Sequence, residues 1–289
     1  MLEKLTPKNI KHKLTALIKQ YVWKAKNWVN YKKDPLVRSQ LNHPYSIPII
    51  IISYNQLYYL QQLVEFLLNR GFSNVIIVDN YSSYPPLLSY FDSIEKHKNI
   101  TIHRLKENKG HLVFWNDTTL FEKYAKGFYV VTDADIVPFK NTPEHFMQYF
   151  LKLLNHYHQV TKVGFSLYLE DLPKTNPNCS NIKNWEQQFW KHKIKKNFLA
   201  SIDTTFALYR PNYKREESNF LHAIRTNLPY TARHGGWYID PKNLSDEQKY
   251  YIRTANSSSS WLTNENGELI NKEIKSHYDK KINPGIKND

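Results

Sequence analysis

Apolar and polar positions alternate along the chain in a way that predicts a repeating strand–helix order. Ile47 to Ile52 is an unbroken apolar run, suited to a strand buried on both faces of a parallel sheet. Leu57, Leu60, Leu63, Val64 and Leu67 then recur at helical spacing and stop at Arg70-Gly71, a good helix end. Val75 to Val78 is a second buried strand. Pro85 and Pro86 suit the first turn of a helix carrying Leu87, Leu88, Phe91 and Ile94. Ile100 to Arg104 reads as a strand, Leu112 to Tyr124 as a helix, and Phe128 to Thr132 as a further strand. Beyond it the pattern predicts a helix at about 143–158, a strand at about 162–168, a Trp-rich helix at about 184–198 and a strand at about 203–210. The expected fold is α/β, a mostly parallel, Rossmann-like central sheet flanked by helices. The last thirty or so residues are polar and charged and predict no element.

In an open parallel sheet, ligands bind outside the carboxyl ends of the strands. Four polar segments fall there: Ser53-Tyr54-Asn55, Asp79-Asn80, Asn108-Lys109-Gly110 and Asp133-Ala134-Asp135. A dehydrogenase would show a glycine-rich turn after the first strand, and a P-loop enzyme a glycine-bounded loop closing on Lys-Ser/Thr. Neither is present. Asp133 and Asp135, one residue apart just past a buried strand, can share one hard divalent cation, Mn²⁺ or Mg²⁺. Such an ion would bridge a diphosphate and neutralise charge on a leaving group. A bare Asp-x-Asp triplet arises often by chance; its place as the last of four polar strand ends gives it weight.

From Ile47 to Pro138 these motifs, in this order, resemble the nucleotide-binding half of GT-A glycosyltransferases, particularly the family 2 type. The resemblance implies that Ser53, Tyr54 and Asn55 line a nucleoside pocket and that Asp79 binds the base or ribose. It further implies that Asn108 and Gly110 shape a loop near the nucleotide, and that Asp133 and Asp135 hold the diphosphate through the metal. One departure is Asn80-Tyr81-Ser82-Ser83 in place of the commoner Asp-Gly-Ser, which leaves the donor base open.

In the second half, Ile202 to Arg210 is similar to the strand passing beneath the donor sugar in such enzymes. Asp203 would bind sugar hydroxyls or act as general base on the acceptor; Glu170, Asp171 and Glu186 are rival carboxylates. In Ala232 to Tyr238, two glycines beside a histidine and aromatics suggest a backbone that closely approaches a ligand. His234 is the candidate third metal ligand, Arg233 would neutralise the leaving diphosphate, and Trp237 would stack on an acceptor sugar.

Composition adds two points. The 289 residues are 41% hydrophobic and 15% aromatic, with one cysteine, Cys179, so no internal disulfide forms and a reducing compartment fits. The formal charge is +14, and residues 1–40 carry ten Lys and Arg against Glu3 and Asp34, a net of +8. There Ile10, Leu14, Leu17, Ile18, Tyr21, Val22, Ala25, Trp28 and Val29 follow helical spacing between lysines. This basic amphipathic helix would lie on an anionic membrane face, pack on the domain with its lysines solvated, or contact nucleic acid. With no apolar run long enough to span a bilayer, the chain reads as cytoplasmic, peripheral on the inner face of the plasma membrane.

The expected organisation is a helical extension at 1–44, a nucleotide-sugar-binding half at 45–140, an acceptor-binding half at 141–260 and a polar tail at 261–289. The expected partners are a nucleotide-sugar donor, UDP-linked, and a saccharide or lipid-linked glycan acceptor in capsule or lipopolysaccharide synthesis. A nucleotidyltransferase is the rival enzyme, but the basic glycine-rich loop it needs after the first strand is missing. A non-enzymatic nucleic-acid-binding protein is the rival from another class, and no binding motif supports it.

Overall fold

The computed structural model describes residues 31–215, 222–256 and 261–270, with scattered helical positions between 14 and 29. Its first half follows the predicted alternation. Strands β1 (Ile49–Ser53), β2 (Val75–Asp79), β3 (Ile100–Arg104) and β4 (Tyr129–Asp133) are all parallel, in the spatial order β3-β2-β1-β4. Helices α1 (Pro35–Asn42), α2 (Tyr58–Asn69) and α3 (Pro85–Ile94) precede or connect them. The helix predicted at Leu112 to Tyr124 is two short helices, α4 (Val113–Asn116) and α5 (Thr118–Tyr124). Asp117 separates them because its carboxylate caps α5, accepting from Leu120 N at 3.1 Å.

β1 shows why continuous apolar runs are needed. Ile49 and Ile51 join a core with Leu63, Leu67 and Phe146, while Ile50 and Ile52 join a second core with Val113, Phe114 and Tyr129. Successive side chains point to opposite faces, and both faces are covered. α1, α2 and α3 supply the first core; α4 and α5 supply the second.

The second half is mixed rather than parallel. After β5 (Ile136–Pro138) come α6 (Phe146–His156), β6 (Lys162–Leu167) and α7 (Cys179–Glu186). The Trp-rich segment predicted as one helix at 184–198 instead ends α7, makes a 3₁₀ turn at Gln187–Trp190 and forms a hairpin of β7 (Lys193–Ile194) and β8 (Asn197–Leu199). Lys195, at φ 53°, turns that hairpin. The strand predicted at 203–210 is only β9 (Ala207–Tyr209), antiparallel to both β4 and β6. The long β10 (Ala223–His234) and α8 (Asp246–Thr254) have no counterpart in the sequence reading. One sheet of ten strands runs through both halves, in the order β3-β2-β1-β4-β9-β6-β10-β8-β7, with β5 on the free length of β10. The segment 271–289 of the predicted tail lies outside the described residues.

Candidate functional site

β4 carries Asp133 to the carboxyl edge of the sheet, where three later segments meet it. The Asp133 amide donates to the Thr204 carbonyl at 3.1 Å, and the Thr204 hydroxyl donates to Asp133 Oδ2 at 2.5 Å. The Asp133 carboxyl is pushed well above the usual carboxylate range by burial first, then by the neighbouring charges of Asp135 and Asp203; the Thr204 hydrogen bond opposes this.

Asp135 and His234 are brought together by strand pairing: β5 is antiparallel to β10, with Ile136 opposite His234. The chain then turns over Asp135. The Gly235 amide donates to the Asp135 carbonyl at 2.7 Å and the Gly236 amide to Asp135 Oδ2 at 3.0 Å. His234 Nδ1 lies 3.3 Å from the same oxygen, and its ring stacks on Trp237 with centroids 4.8 Å apart. Both glycines line a cavity, and a side chain at either would meet a neighbour. A Cβ on Gly235 would sit 2.3 Å from the Tyr59 ring, and one on Gly236 3.3 Å from Asp135 Oδ2.

These groups line a cavity of about 830 Å³, within the range of small-molecule sites. Of the residues singled out from sequence, Tyr54, Asn108, Gly110, Asp133, Asp135, Glu186, Asp203, His234 and Trp237 line it. Ser53, Asn55, Asp79 and Arg233 do not. Ser53 is fully buried. Asn55 is spent on backbone, as its Oδ1 accepts from Ser83 N (2.7 Å) and Tyr84 N (3.0 Å). Asp79 Oδ1 accepts from Ser82 N at 3.0 Å, and burial raises its carboxyl. Arg233 turns outward onto Asp171, which also accepts from the Tyr238 hydroxyl at 2.5 Å, and its guanidinium lies over Phe139. So paired, the guanidinium expected to neutralise a leaving diphosphate stands outside the cavity lining.

The remaining lining residues had no role assigned from sequence, and Glu186 was named there only as a rival carboxylate. Asn80 fastens one wall: its Nδ2 donates to Asn108 Oδ1 (2.9 Å) and the Gly110 carbonyl (3.1 Å), and its Oδ1 accepts from Lys109 N (2.8 Å). Glu186 and Arg225 form a buried ion pair at 2.8 Å in another wall, with the guanidinium over Phe189. Burial raises the Glu186 carboxyl, and Arg225 pulls it back. α8 contributes Glu247, Gln248 and Tyr251; its capping box, Ser245 with Gln248, was the available signal.

Beneath Asp203 lies Lys162, fully buried at the start of β6. Its Nζ donates to the Asp203 carbonyl at 3.2 Å and to the Tyr209 hydroxyl at 3.0 Å. Burial lowers its ammonium to about 7; the Asp203 charge opposes this, while Arg225 and Arg215 add to it.

Among the described residues, no group of three His, Cys, Asp or Glu side chains stands in position to ligate an ion together. The donors nevertheless suit a hard or borderline divalent cation. Asp133 and Asp135 offer carboxylate oxygens, and His234 Nδ1 is a buried nitrogen without a hydrogen-bond partner beside one of them.

A parallel β3-β2-β1-β4 sheet edge with a carboxylate pair after β4, closed by a second mixed half, is the GT-A glycosyltransferase architecture. The chain belongs to glycosyl transferase family 2, whose model matches residues 49–210. One solved structure it is similar to is a mannosyltransferase from Pyrobaculum calidifontis in complex with GDP-Man and Mn²⁺. That likeness is at 12% identity over 80% of this chain and 71% of the other, with a TM-score of 0.42. No curated protein matches the chain in sequence.

Proposed function

We propose that this glycosyltransferase moves a hexosyl group from a UDP-sugar to a hydroxyl of a saccharide acceptor in a surface glycan such as capsule or lipopolysaccharide. The carrying observation is the convergence of Asp133, Asp135 and Asp203 on one cavity with the Asn80–Asn108–Gly110 wall beside them. A diphosphate entering among three carboxylates needs a cation between them. Asp133, Asp135 and His234 are the residues that would hold Mn²⁺ or Mg²⁺, and the ion would supply charge neutralisation at the departing diphosphate.

The chain's own groups do the rest. Thr204 orients Asp133, and the Gly236 amide orients Asp135. Asp203 presents an exposed carboxylate while Lys162 holds its carbonyl, so it can take the proton of an acceptor hydroxyl. Uridine and the surface-glycan acceptor come from the family resemblance in the first half of the chain. The nucleotidyltransferase and nucleic-acid readings give way to the family membership.

The test is a thermal-shift and turnover screen of UDP-, GDP- and dTDP-sugars with and without Mn²⁺. The wild type should respond to a UDP-sugar only with the ion, and Asp135→Ala should lose both the shift and turnover. Full activity of Asp135→Ala overturns the metal assignment; a response confined to another nucleotide overturns the uridine one.

A further inference from the structure

The N-terminal helical segment has two unlike sides. Leu14, Ile18, Tyr21, Val22, Ala25 and Val29 are all helical and exposed; the large ones range from 37% exposed at Val29 to 65% at Tyr21. At about 100° per residue these six fall within an arc of roughly 100°. Asn27 and Tyr31 fall roughly opposite them on the same wheel, and that is the side that meets the domain. Asn27 Nδ2 lies 3.4 Å from His158 Nδ1, the Tyr31 hydroxyl accepts from Arg210 at 3.0 Å, and the Tyr31 ring packs on Phe128 at 5.3 Å. Immediately after it, Gln40 of α1 grips the Phe128 backbone with both amide atoms, at 2.9 and 2.7 Å. The segment is therefore anchored by its polar side, and its apolar stripe faces away from the core. Packing on the domain does not consume the stripe.

We propose that this stripe is a docking surface for an anionic lipid bilayer, lying in the headgroup layer with its lysines against lipid phosphates and carboxylates. Charge decides among the occupants. Residues 1–40 hold +8 of the chain's +14, and Lys26 and Lys33 are exposed on the described helix. A second copy would set one +8 segment against another, which is repulsive. The chain's own 271–289 segment has five lysines against Glu273, Asp279 and Asp289, so it too is basic and offers no complement. An anionic membrane face complements both the apolar stripe and the lysines.

The docking point also fixes how the cavity stands. Phe128 and Arg210 flank the start of β4 and the end of β9, whereas Asp133 ends β4. The cavity thus lies at the far end of the sheet, roughly 15 Å away at 3.3 Å per strand residue. On the transferase reading, a membrane-tethered acceptor reaches the cavity by its distal sugars, so an elongated glycan suits the site better than a bare lipid headgroup.

The experiment is sedimentation of the full chain with vesicles of phosphatidylcholine alone or mixed with phosphatidylserine, needing no donor or turnover. The wild type should bind the mixed vesicles, release with salt, and bind the zwitterionic ones weakly. Ile18→Asp with Val22→Asp should lower binding at least ~30-fold, from two side chains no longer buried. Lys26→Glu and Lys33→Glu should each lower it by ~5-fold or more. An unchanged thermal melt in these exposed-site variants shows that the fold is retained. Undiminished vesicle binding by the double aspartate variant, or equal binding to both vesicle types, overturns the proposal. So does a wild-type dimer in light scattering that the double variant dissolves without any vesicle binding, which would assign the stripe to a second copy.

Discussion

Lys162 offers a pH-dependent prediction that can be read without knowing the substrate. Its ammonium sits near 7 in the folded chain against 10.5 for a free lysine, because burial beneath Asp203 removes it from water. The folded state therefore holds this proton less tightly than the unfolded one. Unfolding takes up a proton between about pH 7 and 10.5, so stability rises with pH across that window and the penalty is complete below it. A shift of this size makes the penalty ~4 kcal/mol at pH 7 and ~2 kcal/mol at pH 9. Lys162→Met abolishes the titration and removes the Nζ hydrogen bonds to the Asp203 carbonyl and the Tyr209 hydroxyl, costing about 1–3 kcal/mol at any pH, while the Tyr209 hydroxyl still donates to that carbonyl at 3.4 Å. Other titrating groups cancel in the difference between variant and wild type. Urea denaturation at pH 7 and pH 9 should show the variant losing ~2 kcal/mol relative to wild type over that interval. A constant difference between the two proteins would refute the buried, weakly protonated lysine.

Arg225→Met should destabilise the fold by about 3–5 kcal/mol, since Glu186 stays buried without its partner; Glu186→Met together with Arg225→Met should recover most of it in denaturant titrations. Gly235→Ala forces a methyl against the Tyr59 ring and should cost about 1–3 kcal/mol, and binding calorimetry should show weakened Mn²⁺ uptake as Asp135 is displaced. Asn55→Ala should cost about 2–4 kcal/mol by removing three hydrogen bonds. Asn55→Gly, freed of strain at φ 49°, should be less damaging by ~1 kcal/mol, as read from thermal melts.

The first half was legible because β1, β2 and β4 are buried on both faces and so read as apolar runs, while β3, at the sheet edge, showed itself by alternation instead. The second half was not, and the causes are local. β10 carries Arg225 and Thr226 into the interior, where ion pairing or a neighbouring backbone takes the place of apolar character, and buries Thr231 as well. Pro229 in its middle argues against a strand, and the pairing with β6 is irregular between Thr226 and Thr231. α8 buries no residue fully, so it has no apolar periodicity to find. The N-terminal helix was legible as amphipathic, but its sequence could not say which side meets the domain; that depended on Tyr31 finding Arg210, 179 residues away.

Asn55 shows how a polar residue at a strand end can be taken up by the protein's own loops. Its position after β1 was read as nucleoside-facing, yet its side chain is enclosed by protein. Nδ2 donates to the Thr254 hydroxyl at 2.9 Å while Oδ1 takes the Ser83 and Tyr84 amides. It thereby ties the β1 loop, the β2 loop and the end of α8 together. Tyr54, next to it, donates to the Thr254 carbonyl at 2.8 Å; Tyr250 donates to Ser83, and Glu247 accepts from the Tyr58 amide at the start of α2. α8 is held over the strand ends by these polar bonds and by the rings of Tyr250 on Tyr84 and Tyr251 on Tyr54, with no fully buried residue of its own. The wall it forms should therefore loosen through single hydrogen-bond losses, while the β4 side, built on a doubly buried sheet, stays fixed. On that division of rigidity, Asp133 and Asp135 belong to the fixed side of the cavity, and Tyr251 and Gln248 to the side able to yield as a substrate enters.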